Sequence, residues 1–242
     1  MSMLNQENLE KFIKRMQTSA GNVLREYGQH VFLSFLYQER GAERLLFKGG
    51  TAFRIVLQSP RFSEDLDFTG SGIVQSEIEE IFGNTLAHVE QVGISVKLNT
   101  AKNTTGGYLG DTTFEVFGQQ VSSHIEVSLR SGKRMKGIQT VIENEYVPAY
   151  TLVHLPEADI IKGKLAALFN RRKPRDFYDY FFLLSGNYPQ VREREVLEQV
   201  LELVHDTDID FRSELKAFLP AGHAMLLKDF RGTLERKIKQ YL

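Results

Sequence analysis

The chain has 242 residues, of which 42% are apolar and 25% charged, with a net charge of −1. That is room for one large or two modest domains of ordinary soluble composition, and it gives no global attraction for a polyanion. The absence of cysteine excludes disulfides, zinc–thiolate centres and thiol nucleophiles. No apolar run reaches 18 residues, so no membrane-spanning helix is expected, and the start of the chain reads as an amphipathic helix rather than a signal peptide; a cytoplasmic location is the expectation.

Residues 7–40 carry apolar positions at a helical period, among them Leu9, Phe12, Ile13, Val23, Leu24 and Tyr27. Residues 44–48 (RLLFK) form a short apolar run ending in Gly49-Gly50, the pattern of a strand entering a tight turn. A helix is expected over 51–58, then a short strand over 65–68. Residues 76–91 read as an amphipathic helix with Ser76 as N-cap and Glu79 completing a capping box. From Gly93 to Val147 the period falls to two: Ile125, Val127 and Leu129 share one strand face, and His124, Glu126 and Ser128 the other. Gly106-Gly107 marks a turn. After Pro156 the helical period returns over 158–169, 175–184, 193–205, 213–218 and 222–241. The fold class is therefore mixed α+β. A small mixed sheet with flanking helices is expected over residues 1–150 and a helical bundle over 151–242.

Charge is unevenly spread. Basic residues gather at 130–136, 171–175 and 228–239, and acidic ones at 77–80 and 206–210. Local basic patches can steer a polyanion even when the total charge is near zero.

The chemistry is concentrated in residues 48–68, KGGTAFRIVLQSPRFSEDLDF. Gly49 and Gly50 let the backbone approach a ligand closely, and the N–H groups at a helix start suit a triphosphate. The Thr51 hydroxyl adds a donor for a phosphate oxygen, and Lys48 a flanking cation. Asp65 and Asp67, two apart on a strand, point to one side, while Leu66 and Phe68 point to the other. Two carboxylates facing the same way repel unless a cation lies between them, and a hard divalent ion bridging phosphates is Mg²⁺, or Mn²⁺ in its place. A third carboxylate from a neighbouring strand is expected at Glu126, with Glu115 as the weaker choice.

The ordered string GGT, thirteen intervening residues, then Asp-Leu-Asp resembles the signature of the polymerase-β-like nucleotidyltransferases. The fuller string FKGGTAFRIVL…RFSEDLDF, with Ser63 ahead of the acidic pair, is similar to the abortive-infection toxin nucleotidyltransferases, the AbiEii/AbiGii group. A second block, ADIIKGKLAALFNRRKPRDFYDYFFLL at 158–184, fits the same group. The resemblance implies that Lys164 contacts NTP phosphates, with Arg175 beside it. Asp179 would be the helical acid, serving as a base or orienting Lys164, and Asp176 competes for that role. It also implies an NTP held with Mg²⁺ in a cleft between the two parts, an RNA acceptor such as the 3′ end of tRNA, inhibition of translation, and a separately encoded antitoxin as partner. Transfer to a protein hydroxyl and an inactive nucleotide-binding module are the alternatives.

Plainer readings stand beside these. Lys164 is otherwise a solvated helix lysine near Lys162, and Asp176 and Asp179 are otherwise caps or i,i+4 partners of Arg172 or Arg175. His124 reads as a structural strand residue. Residues 171–175 are a charged linker or a substrate-binding patch. Tyr178 and Tyr180 belong to a core, or else one of them stacks a base.

Overall fold

The computed structural model describes residues 4–104, 106–129 and 134–242; residues 130–133 of the basic cluster at 130–136 lie outside the described residues. The chain divides into two compact units. The first takes it up to Gln58 and again over Phe62–Pro156, and the second consists of Ser59–Arg61 with Glu157–Leu242.

The first unit opens with α1 (Gln6–Met16) and α2 (Ala20–Leu36). They are two helices rather than one continuous helical region because Gln17 adopts φ 51°, its amide turning back to the Ile13 and Lys14 carbonyls, and Ser19 then caps α2 through the Asn22 amide. Next come β1 (Leu45–Lys48), α3 (Gly49–Ile55), β2 (Leu66–Gly70) and α4 (Gln75–Gln91). Glu77, not Glu79, closes the start of α4 by accepting from the Val74 amide at 3.0 Å, and Ser76 lies inside the helix rather than capping it. The long strands β3 (Ser95–Thr104), β4 (Gly107–Val116) and β5 (Gln119–Leu129) follow, then β6 (Ile138–Ile142) and β7 (Tyr150–His154). The sheet order is β3-β4-β5-β2-β1-β7-β6. The β2–β5 and β1–β7 pairs are parallel and the others antiparallel, so the sheet is mixed.

Strand alternation sorts the two faces. Phe47, Leu66, Phe68, Ile125 and Val127 join the core formed with α2 and α4. Their neighbours Lys48, Asp67 and Glu126 therefore project from the opposite face. Strand β7 is not legible as a strand in the sequence because Leu152, Val153 and His154 are all buried, which removes the alternation that marks a half-buried strand. The Tyr37 hydroxyl lies 2.7 Å from both the Leu45 and Val153 carbonyls and knits β7 to β1.

One buried titratable group in this unit has a consequence for stability. His30 on α2 contacts the Tyr150 hydroxyl at 2.9 Å through Nδ1. Burial pushes its pKa down from 6.5 to about 4, with Glu26 opposing and Arg54 adding to the shift. The unfolded chain thus takes up a proton below about pH 6.5 that the folded chain refuses until about pH 4. Stability is expected to fall through that window by on the order of 3 kcal/mol. Urea titrations at pH 7 and pH 4.5 should show the loss, and His30→Gln should flatten it; an equally steep loss in the variant would assign it elsewhere.

The second unit is helical: α5 (Glu157–Arg171), α6 (Pro174–Ser185), α7 (Arg194–Asp206), α8 (Phe211–Phe218), α9 (Ala224–Lys228) and α10 (Phe230–Lys239). The helix expected over 222–241 is broken at Asp229, whose carboxylate caps the Gly232 amide. Rings of Phe177, Tyr178, Phe211 and Phe230 pack with centroids 5.0–6.0 Å apart. Tyr178 and Tyr180 are both buried, and the Tyr180 hydroxyl donates to the Val191 carbonyl. They are core residues, not a base-stacking platform.

Candidate active site

Asp65 stands immediately before β2, outside the ladder, so its placement needs other support. Three successive carbonyls supply it. Gln29 of α2, buried, donates to the Ser63 and Glu64 carbonyls at 3.1 Å each. Ser123 of β5 donates to the Glu64 carbonyl at 2.7 Å, and the Thr51 hydroxyl donates to the Asp65 carbonyl. An irregular segment whose carbonyls are held by side chains is fixed almost as firmly as a strand.

The Thr51 interaction corrects the expectation for that residue. The helix begins at Gly49, so Thr51 lies within its first turn, buried, with its hydroxyl proton committed to Asp65 rather than to a phosphate. Ser63 enters the arrangement through its carbonyl.

Asp67 is set from the other side. Its register partners are Lys48 on β1 and Glu126 on β5, which puts cation, acid and acid in one row across three strands. Lys48 Nζ donates to Ser128 Oγ at 2.8 Å, and that hydroxyl is 3.5 Å from Glu126 Oε1. Gly49, at φ +79°, packs its bare Cα against the Asp67 carboxylate: a Cβ there would sit 1.9 Å from Oδ2. The glycine is therefore required twice, by its backbone conformation and by the acid it faces.

Just before Glu126 on β5 and on the same face, His124 pairs through Nδ1 with Asp111 of β4, which also accepts from Thr100 of β3. The hydrogen bond to Asp111 raises the His124 pKa, and the Asp65 and Glu64 carboxylates add to the rise. His124 is a strand residue oriented by its cross-strand neighbour.

The donor chemistry fits a hard divalent ion. Asp65, Asp67 and Glu126 offer carboxylate oxygens only, and the glycine cradle leaves the Asp67 carboxylate no room for a neighbouring side chain at position 49. Among the described residues no group of three or more His, Asp or Glu side chains is placed to hold a metal ion. Glu115 is paired in register with Gln120 at the far end of β4, several residues from the Leu109–Glu126 pair.

In the second unit, Asp179 is fully buried and bound on both oxygens. Arg61 donates to it as a fork, Nε to Oδ1 at 2.7 Å and an Nη to Oδ2 at 2.8 Å, and Lys164 Nζ donates to Oδ2 at 2.8 Å. Burial alone would raise the Asp179 carboxyl, but Arg61 and then Lys164 outweigh it and hold the pKa below the usual range. Lys164 is thus no solvated helix lysine. Asp176 plays a different part. It accepts from the Arg171 guanidinium and from the Lys173 amide at 3.0 Å, closing the start of α6. Arg175 approaches Glu214 at 3.2 Å.

The sequence profile described as "Nucleotidyl transferase AbiEii toxin, Type IV TA system" matches residues 32–241. The chain belongs to the AbiEii nucleotidyltransferase toxin family. Two Helicobacter pylori crystal structures share the fold of this chain. JHP933 superposes with a TM-score of 0.63 at 20% identity, covering 93% of each chain. A candidate nucleotidyltransferase superposes at 0.62 and 20% identity, covering 92% of this chain and 95% of its own. No curated protein matches the chain in sequence. Among the described residues no helix is long and apolar enough to cross a membrane.

Two residues of this AbiEii chain are missed by sequence reasoning. Arg61 stands 118 positions from Asp179, and its signal is only its place just ahead of the acidic motif. Gln29 lies mid-helix and carries no signal at all.

Proposed function

We propose that the protein is a Mg²⁺-dependent nucleotidyltransferase that moves a nucleoside monophosphate from an NTP to an RNA, the 3′ end of a tRNA by family resemblance. Its effect would be to inhibit translation, with a separately encoded antitoxin as partner. The observation that carries the reading is the Gly49–Asp67 contact, with Glu126 in register beside it.

The acceptor hydroxyl attacks the α-phosphorus, the bond from that phosphorus to the β-phosphate oxygen breaks, pyrophosphate leaves, and the hydroxyl proton passes to water. Bound Mg²⁺ would supply charge neutralisation at the phosphates and a more acidic attacking hydroxyl. Asp65 and Asp67 would hold it, with Glu126 as third ligand. Gly49 and Gly50 keep the start of α3 bare of side chains, and Lys48 adds positive charge at its edge. Lys164 is the cation we assign to developing phosphate charge. Asp179 orients it: a carboxylate already bonded to an ammonium and a guanidinium is a weak base. Arg175 remains a candidate phosphate contact.

Isothermal titration tests the metal assignment. Wild-type protein should bind NTP with Mg²⁺ present and far more weakly in EDTA. Asp67→Ala should lose that Mg²⁺ dependence and its transfer activity with at most a small change in Tm, because the side chain is half-buried and points away from the core that holds Leu66 and Phe68. An Asp67→Ala enzyme with full activity would remove Asp67 from the metal site.

A further inference from the structure

The turn between α5 and α6 is built with unusual care for an exposed linker. Arg171 ends α5, Arg172 and Lys173 form the turn, and Pro174 opens α6. Asp176, 1% exposed, holds both sides of it, taking the Arg171 guanidinium on one side and the Lys173 amide on the other. Proline fixes the exit. What this frame presents is charge: Arg172 and Lys173 are both exposed.

Arg172 sits at φ 52°, in the left-handed region that favours glycine at the end of a helix. Attraction to the C-terminal carbonyls of α5 does not explain a cation there, since Arg171 and Lys173 already supply positive charge in ordinary conformations. Its contact with the Phe169 carbonyl is long, at 3.4 Å. Gln17 ends α1 in the same conformation, so the backbone alone marks nothing. The combination does: adjacent exposed cations, one of them at a position where a smaller residue is more stable, on a turn anchored by a buried acid.

We infer that this turn is a docking surface for RNA, with Arg172 and Lys173 contacting the phosphodiester backbone without regard to sequence. With a net charge of −1 the chain as a whole does not attract RNA, so local clusters must supply the attraction. The inference rests on the RNA acceptor of the proposed function, and it assigns to the acceptor a contact outside the nucleotide site.

The test is fluorescence anisotropy of a labelled tRNA across a salt series. It is run on full-length wild type, on Arg172→Gly, and on Arg172→Gly combined with Lys173→Gln. Arg172→Gly should raise the Tm while weakening RNA binding, opposite signs that a merely solvated arginine would not give. The double variant should bind about tenfold more weakly at moderate salt, and its log–log salt slope should be shallower by about 1.5, as for two lost phosphate contacts. Titration with Mg²⁺ and NTP should be unchanged. Equal affinity and slope in wild type and double variant would overturn the surface alone. Wild-type protein that binds NTP but no RNA would overturn the RNA reading and the surface with it. Competition by polyglutamate as effective as by RNA would assign the turn to an acidic protein and overturn the proposal.

Discussion

Gly49→Ala is expected to abolish nucleotidyl transfer although it adds one methyl group. The added Cβ would lie 1.9 Å from Oδ2 of Asp67 and 2.7 Å from its Cβ and Cγ. Neither partner can yield easily. Position 49 is at φ +79°, where a side chain costs about 1–2 kcal/mol before any clash. Asp67 is locked in register between Lys48 and Glu126, so moving its backbone would disturb two ladders. The flexible element is the carboxylate itself, which must swing away from the place it would hold a metal. A displacement of about 1 Å at a reacting centre costs on the order of 10²-fold in rate. Single-turnover transfer should therefore fall at least that far, with only a modest drop in Tm. Gly83→Ala in α4, where an added Cβ meets nothing within 4 Å, is the control: it should stabilise by up to about 1 kcal/mol and leave transfer untouched. A Gly49→Ala enzyme with the wild-type rate would show that the glycine is a turn residue and no more.

Arg61→Ala is expected to give the largest loss of stability. The guanidinium is 4% exposed and supplies two of the three hydrogen bonds described for Asp179. Removing it leaves a buried carboxylate with a single ammonium, and breaking a buried ion pair from one side costs about 3–5 kcal/mol. The loss should be read by urea unfolding of the second unit, followed at its tyrosines. Arg61→Lys should recover part of it, since a point charge cannot reproduce the fork. The sign with pH follows from the lowered pKa of Asp179. Its contribution is fully present above the ordinary carboxylate value and is lost as pH falls through the depressed folded value. Arg61→Ala should therefore weaken the wild-type protein's dependence on low pH. A variant within about 1 kcal/mol of wild type would mean that the buried trio contributes no more than a surface pair.

What can be read from the sequence follows from how far apart the cooperating residues lie. Residues 48–68 hold the turn, the helix start and both acids in one stretch, and the strand–turn–helix–strand pattern there is local. The placement of Glu126 opposite Asp67 depends on strand register, which alternation suggests but does not fix. The role of Thr51 is hidden in the sequence because its partner is a carbonyl fourteen residues on, reached only when the chain folds back. The Arg61–Asp179 fork and the Gln29 clamp are farther still from local pattern. Asp176 and Asp179, alike in sequence, separate only when their partners are seen: one closes a helix start and the other fixes Lys164. Strand β7 loses its alternation to burial on both faces, and the last helix reads as one piece because a capping aspartate also occurs inside helices.

The most direct measurement is incubation of the purified protein with total RNA, Mg²⁺ and NTPs labelled in parallel at the α- and γ-phosphate. The proposed transfer of a nucleoside monophosphate to RNA predicts label in RNA from the α-phosphate alone and released pyrophosphate, and the assignment of Asp67 to the metal predicts no signal from Asp67→Ala. Label from the γ-phosphate, or α-label found only in protein, would contradict transfer of a nucleotide to RNA.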